Sequence, residues 1–328
     1  MPSAGDDPVT GSVIVLLGPT AVGKSALALI LAQAFNGEIV SVDSRLVYIG
    51  MDIGVAKPTP AEQALVPHHL LDIVTPAQTL SLATFQRLAY RTINDILRRG
   101  CLPLLVGGTG QYISAVIEGW NIPEVRPNPT LRAELEAYAA QHGSTALWER
   151  LRQCDPEAAT RIHPHNVRRV VRALEVFLES GQPISAQQRR TPPPYRILQI
   201  GLTRPRHDLH ARIDARIDQM LASGLLEEVQ GLLAAGFDRR CPAMSGLGYR
   251  QIIAYLEGEC ALEEAIAALR RETRDFARRQ DVWFRKYNRD AYWFDMTETP
   301  AETIIEFVRQ WLESEPHAPS KSVLPRDK

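Results

Sequence analysis

Eight consecutive residues, Gly18-Pro19-Thr20-Ala21-Val22-Gly23-Lys24-Ser25, match the spacing G-x-x-x-x-G-K-[ST] at all four of its fixed positions. In such a loop the backbone amides and the start of the following helix point at one spot, where an anion is favoured. Lys24 adds a mobile positive charge, and the Ser25 hydroxyl can ligate a Mg²⁺ held by the same phosphates. The chemistry offered is therefore phosphate binding. A second reactive group is the carboxylate of Asp43, which closes the apolar run Ile39-Val40-Ser41-Val42. At that place it can act as a general base or assist a metal; a surface turn aspartate is the plain alternative. Nucleotide kinases and NTPases also hold Mg²⁺ with an acid at the end of a neighbouring apolar strand. The corresponding run here, Leu102-Pro103-Leu104-Leu105-Val106, enters Gly107-Gly108-Thr109-Gly110 without a carboxylate.

These groups need strand ends to carry them. Val13 to Leu17, Glu38 to Asp43, His69 to Ile73 and Leu102 to Val106 read as strands, with helices after the phosphate loop and around Leu82 to Arg99. The alternation predicts an α/β protein with a parallel sheet covered on both faces and functional loops at the strands' C-terminal ends. After Gly119 a Pro-rich connector, Asn121 to Pro129, leads into a helical stretch from Thr130 to about Ser180. The run Ile197 to Leu202 then returns the chain to the sheet. Helices are expected over Asp208 to Leu221, Leu225 to Ala234, Tyr249 to Glu257 and Leu262 to Tyr287, a last strand over Tyr292 to Asp295, and a final helix ending near Leu312. The expected organisation is a phosphate-loop core (12–120 and 191–313), an all-α insertion (121–190), and disordered tails (1–11 and 314–328).

With 328 residues, 45% hydrophobic and 23% charged, the chain has the composition of a soluble globular protein. No apolar run approaches a bilayer span and the N-terminus lacks a secretion signal, so a cytoplasmic protein is expected. The four cysteines form no C-x-x-C pair, which argues against a zinc site or a disulfide framework. A net charge of −1 hides two basic patches: six Arg against two Glu between Arg161 and Arg190, and eight Arg/Lys against three acids between Arg270 and Arg289. Such patches suit a polyanion larger than one nucleotide, or are solvated helix surface.

The phosphate loop, Ser41-Val42-Asp43-Ser44 with Tyr48, Met51-Asp52-Ile53-Gly54, Ala56-Lys57-Pro58, Pro67-His68-His69-Leu70-Leu71-Asp72-Ile73 and Leu104 to Gly110 with Tyr112 together resemble the tRNA dimethylallyltransferase (tRNA isopentenyltransferase) family. The likeness continues through Arg161-Ile162-His163-Pro164, Arg172 to Val176, Met220 to Gly224 and Gly248-Tyr249-Arg250-Gln251, covering about residues 13 to 312. The resemblance implies transfer of the dimethylallyl group from dimethylallyl diphosphate to N6 of adenosine 37 in tRNA. It also implies Mg²⁺, a phosphate loop that binds diphosphate instead of driving ATP hydrolysis, and a helical insertion that grips the anticodon stem-loop. No membrane or stable protein partner is implied, and a monomer is expected.

Residue by residue, the resemblance makes Asp43 the base, matches Thr109 to the threonine that helps orient the reacting groups, and puts Arg216 on the diphosphate. Arg212 lies four residues before Arg216 on the same helix face, so the spacing itself leaves open which one reaches in. Asp43-Ser44-Arg45-Leu46 matches the segment that meets the target adenosine. Arg132, Arg168, Arg169, Arg172 and the segment Ser245 to Arg250, including Gly248 and Tyr249, match positions that face tRNA. In the long helix, Arg271, Arg274, Arg278 and Arg285 share a face that either follows an RNA backbone or is solvated surface. Two departures, Val55 for the common Thr and Gln111 for the usual Leu, are expected beside the substrate tunnel. The missing zinc-finger spacing suggests a bacterial-type enzyme.

Three other readings compete. A small-metabolite kinase would turn over ATP and leave the basic insertion without a task. An RNA-binding protein using the loop as a nucleotide switch would need no base at Asp43. A prenyltransferase acting on free adenine nucleotide would not need Arg132, Arg168 and Arg169.

Overall fold

The computed structural model describes residues 9–314. Six strands, all parallel, form one sheet in the order β3-β2-β4-β1-β5-β6: β1 (Gly11–Leu17), β2 (Gly37–Ser41), β3 (His68–His69), β4 (Leu102–Val106), β5 (Tyr195–Thr203) and β6 (Tyr292–Asp295). Val13 to Leu17 are each at most 1% exposed. A strand buried on both faces must be apolar along its length, and this is why β1 reads as a continuous run and not an alternation. The sheet gives a phosphate-loop α/β fold, as the sequence pattern predicts.

The helices among the described residues are α1 (Lys24–Ala34), α2 (Pro60–Leu65), α3 (Leu82–Arg98), α4 (Gly110–Ile117), α5 (Pro129–His142), α6 (Ser144–Cys154), α7 (Pro156–Arg161), α8 (Val167–Ser180), α9 (Ile184–Gln187), α10 (Arg206–Ala222), α11 (Leu225–Ala234), α12 (Tyr249–Leu256), α13 (Leu262–Tyr287) and α14 (Ala301–Glu313), with a 3₁₀ turn at Pro242–Ser245. Two compact units result. The first comprises residues 9–81, 85–114 and 194–314, the second 82–84 and 115–193. No helix among the described residues is long and apolar enough to cross a membrane.

The first unit has two apolar cores. One joins the sheet to α1 and α14 through Leu27, Leu31, Ile304 and Val308; the other gathers Met51, Leu225, Met244, Tyr249 and Ile253 around α10 to α13. In the second unit Leu135, Leu147, Leu151, Val170 and Leu174 pack the helices together. A carboxylate lies inside this helical core. Glu175 is fully buried and accepts from Arg132 (2.7 and 2.8 Å), Arg172 (2.6 Å) and the Asn128 amide (2.8 Å). Burial alone would raise its pKa, but the hydrogen bonds from Arg132, Asn128 and Arg172 outweigh it and hold the carboxyl down at about 2.

Local differences from the expected elements have identifiable causes. The strand expected over His69 to Ile73 is only the pair His68–His69, because Leu70 and Asp72 take φ of 62° and 51°. Ile73 and Val74 instead donate to Val47 O at 2.8 and 3.0 Å. Asp43, expected within the second strand, lies two residues beyond it. Gly11, grouped with the N-terminal tail, opens β1 opposite Tyr195, and Ser314 caps the end of α14. The remainder of both expected tails, apart from Val9 and Thr10, lies outside the described residues.

Candidate active site

β1 delivers the chain to the phosphate loop and α1 receives it at Lys24, with Gly23 as the N-cap at φ 119° and no side-chain cap on the first turn. The unclaimed amides of that turn and the positive helix end face whatever the loop holds. Gly18 is required at its position: it has φ 146°, and a Cβ there would stand 2.6 Å from Leu202 O of β5. Ala21 takes φ 63°, a conformation that disfavours a side chain by about 1–2 kcal/mol and is held by the surrounding bonds.

Those bonds tie the loop carbonyls to cations. Lys24 Nζ donates to Gly18 O (2.9 Å) and Pro19 O (2.8 Å), Arg212 Nε to Ala21 O (2.9 Å), and Arg204 Nε to Val22 O (2.9 Å). Arg216 Nη1 donates to the Thr20 hydroxyl at 3.4 Å. Both arginines of α10 therefore reach the loop, Arg212 on its backbone and Arg216 on a side chain. Burial pushes the Lys24 ammonium down to about 7; the carboxylate of Asp43 opposes this shift and Arg216 adds to it. Burial, then the neighbouring Arg212, lowers Arg216 as well. So much desolvated positive charge in one place favours an anionic occupant.

The second half of the site lies where β2 and β4 end. Gly107 comes so close to Val42 that a Cβ would collide with the Val42 backbone. Val42 N donates to Val106 O at 2.8 Å, Thr109 N to Val42 O at 3.4 Å, and Ser44 N to Thr109 Oγ1 at 3.0 Å. The Thr109 hydroxyl donates to Ser44 Oγ at 3.3 Å, and Asp43 Oδ1 accepts from Arg45 N at 2.8 Å. Asp43 is thereby fixed by its own turn while Thr109 holds the next residue. Asp43 and Lys24 line one cavity of about 480 Å³, together with Ser25, Gly108, Arg212, Arg216 and the apolar side chains of Ile39, Leu46, Val55, Leu71 and Phe276. Val55 is on this wall as expected, whereas Gln111 is exposed on α4 and is not part of it.

Two residues that brace the site carry no motif. Glu228 of α11 accepts from the amides of Asp52 (2.8 Å), Ile53 (2.7 Å) and Gly54 (3.0 Å) and from Tyr249 OH (2.6 Å), pinning the loop that leads to Val55. Gln280 of α13 bonds the phosphate loop on one side and Gly108 on the other. In sequence the first reads as an acid in a helix's first turn and the second as a polar position in a charged run, between Arg279 and Asp281, so neither gives a signal.

The residues expected to face RNA divide into several groups. Arg168 and Arg169 are exposed on α8, without an ion pair among the described residues. Arg132 and Arg172 are committed to Glu175. Arg45 donates to Ala243 O at 3.3 Å and Ser245 Oγ to Pro242 O at 2.8 Å, while Gly248, at φ 91°, starts α12. Tyr249 departs from expectation: it is 0% exposed, because its ring fills the second core and its hydroxyl is taken by Glu228. Arg250 is exposed and paired with Glu272. On α13, Arg271 and Arg278 are exposed, Arg274 pairs with Asp214, and Arg285 pairs with Asp281 while its guanidinium sits 4.4 Å over the Trp293 ring.

Known proteins share this architecture. The family model described as IPP transferase matches residues 46–287. A tRNA dimethylallyltransferase of Roseiflexus sp. (strain RS-1) is 54% identical over 92% of this chain and 99% of its own length. Among solved structures, the tRNA isopentenylpyrophosphate transferase of Bacillus halodurans is 43% identical, with a TM-score of 0.69 over 92% of this chain and 97% of that one. A eukaryotic dimethylallyltransferase acting on tRNA is 27% identical, with a TM-score of 0.78 over 93% of this chain and 80% of that one.

Proposed function

Because this chain belongs to the IPP transferase family, we propose that it moves the dimethylallyl group of dimethylallyl diphosphate onto N6 of adenosine 37 in tRNA, giving N6-dimethylallyladenosine and diphosphate. The observation that carries the reading is the single cavity lined by both Lys24 and Asp43, where a leaving diphosphate and an attacking amine can meet. The relatives give no support to the small-metabolite kinase.

The steps follow from the side chains. The allylic C1–O bond breaks as the C1–N6 bond forms, and negative charge collects on the departing diphosphate. Lys24, Arg216 and the first-turn amides of α1 are aimed where that charge grows, and fixed dipoles in a partly desolvated site are worth more there than in water. Asp43 takes the N6 proton, a contribution of about 10²- to 10⁴-fold. Thr109 acts by holding Ser44, and so the turn that carries Asp43. An apolar wall of Ile39, Leu46, Val55 and Leu71 suits a five-carbon allyl chain.

The donor set for a metal is sparse. Among the described residues no group of three or more His, Cys, Asp or Glu could hold one, so a Mg²⁺ here would take most of its oxygen ligands from the diphosphate and water. Ser25 would hold it through its hydroxyl, and the ion would neutralise charge on the leaving group. Reaching N6 requires the adenine to leave the stack of the anticodon loop. Arg168 and Arg169, exposed on α8, would contact phosphate, a contact that positions RNA without choosing the base.

The test combines unmodified tRNA, Mg²⁺ and labelled dimethylallyl diphosphate, with the label located by nuclease digestion. Label on N6 of adenosine 37 is expected, and Asp43→Asn should lose about 10²- to 10⁴-fold of the transfer rate with tRNA affinity kept. Transfer at the wild-type rate by Asp43→Asn would remove the base from the scheme. Labelling of free AMP as efficient as that of tRNA would make the acceptor a mononucleotide.

A further inference from the structure

Gln280 sits within the 26-residue helix α13, among Arg278, Arg279 and Asp281, yet it is only 6% exposed. Its Oε1 accepts from Thr20 N at 2.8 Å, and its Nε2 donates to Gly108 O at 2.8 Å. The orientation of the amide is dictated by its partners, since a backbone N–H can only donate and a carbonyl can only accept. Thr20 belongs to the phosphate loop after β1, and Gly108 to the loop after β4. Gly108 leads directly to Thr109, which bonds Ser44 beside Asp43, while Thr20 accepts from Arg216. One side chain, remote in sequence from both loops, thus joins the half of the cavity with the cations to the half with the carboxylate. A Cβ on Gly108 would collide with Gln280 Nε2, so the two groups are in close packing as well as bonded.

We infer that Gln280 is a positioning residue for the transfer step: from the cavity wall, with both ends of its amide taken by the two loops, it sets the spacing between the diphosphate loop and the turn that carries Asp43. The inference rests on the transfer reaction proposed above. An amide used in this way leaves binding of each substrate intact and acts on the distance between the reacting atoms. A misplacement of about 1 Å costs on the order of 10²-fold in rate. A glutamine that merely fills the core would move the melting temperature and leave the rate of the folded protein unchanged.

The experiment is single-turnover transfer with saturating dimethylallyl diphosphate and tRNA, together with the Kd of each substrate and a thermal melt. Gln280→Met preserves volume and removes both hydrogen bonds; a fall of about 10²-fold is expected, with each Kd within about threefold of wild type. Gly108→Ala, made with Gln280 intact, should fall similarly. In a Gln280→Ala background, where the amide is gone, Gly108→Ala should add no further loss. Three results overturn the assignment: a Gln280→Met rate within about threefold of wild type, a loss recovered by more donor, or losses from Gly108→Ala and Gln280→Ala that multiply. A Gln280→Met protein that no longer folds would make Gln280 a packing residue and overturn it too. Failure of the wild-type protein to transfer at all would sink the proposed function instead, a result distinct from any of these.

Discussion

With its ammonium pushed down to about 7, Lys24 is only half charged at neutral pH when no diphosphate is bound. A diphosphate in the loop favours the charged form, so binding above pH 7 must draw a proton from solvent. The sign follows from which state holds the proton. Below pH 7 Lys24 is already charged and binding takes up little; above it the proton has to be supplied, and binding weakens as pH rises. For a site titrating near 7, the uptake by Lys24 is about 0.1 proton at pH 6 and about 0.9 at pH 8, and affinity falls about tenfold per pH unit above 7, about 1.4 kcal/mol. Calorimetry of Mg²⁺-diphosphate binding, in two buffers with different heats of protonation, reads the proton count directly. Lys24→Met serves as the reference, because diphosphate and its other partners can also take up protons. The difference between wild type and variant should be about 0.9 at pH 8 and about 0.1 at pH 6. Equal uptake by the two proteins at pH 8 would show that Lys24 is already charged in the empty site, and the argument from burial would fall.

Two more expectations concern the helical unit. Charge reversal of Arg168 and Arg169 to Glu should weaken tRNA binding and reduce the slope of log K against log salt by about 2, measured by filter binding across salt concentrations; an unchanged slope would take both residues off the RNA. Glu175→Ala should destabilise the protein by about 3 kcal/mol in denaturant titrations, since it strands two arginines and the Asn128 amide. The pH dependence of the same carboxylate has a definite sign. Its pKa is depressed to about 2, so its contribution is present above the ordinary value of 4.5 and is lost as pH falls from there towards about 2. Acid titration of helicity should lose this component in Glu175→Gln, and identical acid curves would mean the carboxylate is not the stabilising group.

Much of the molecule was legible in the order of residues. The phosphate loop is contiguous, its flanks are an apolar run and an Ala/Leu helix, and the loop found after β1 follows from those local patterns. β4, α11 and α13 are found where period and punctuation put them, because hydrophobic repeats of a buried strand or an amphipathic helix do not depend on distant partners. Asp43 was recognisable from its place after an apolar strand, and that place proves to be the cavity shared with Lys24. By contrast the strand expected over His69 to Ile73 required φ values that Leu70 and Asp72 do not take, a choice made by bonds to Val47 and not by local propensity.

What the residue order determined by itself was thus the sheet, the anion-binding loop and a carboxylate at a strand end. Which arginine does what was left to the tertiary structure: Arg132 and Arg172 serve the buried Glu175, Arg212 and Arg204 hold loop carbonyls, and Arg168 and Arg169 stay open to solvent. The bracing by Gln280 and Glu228 was decided there as well. The physical reason is range. A motif or a helical period is satisfied by neighbours a few residues away, whereas Gln280 meets Thr20 across 260 residues, and a hydrogen bond at that separation exists only once the chain has folded around it.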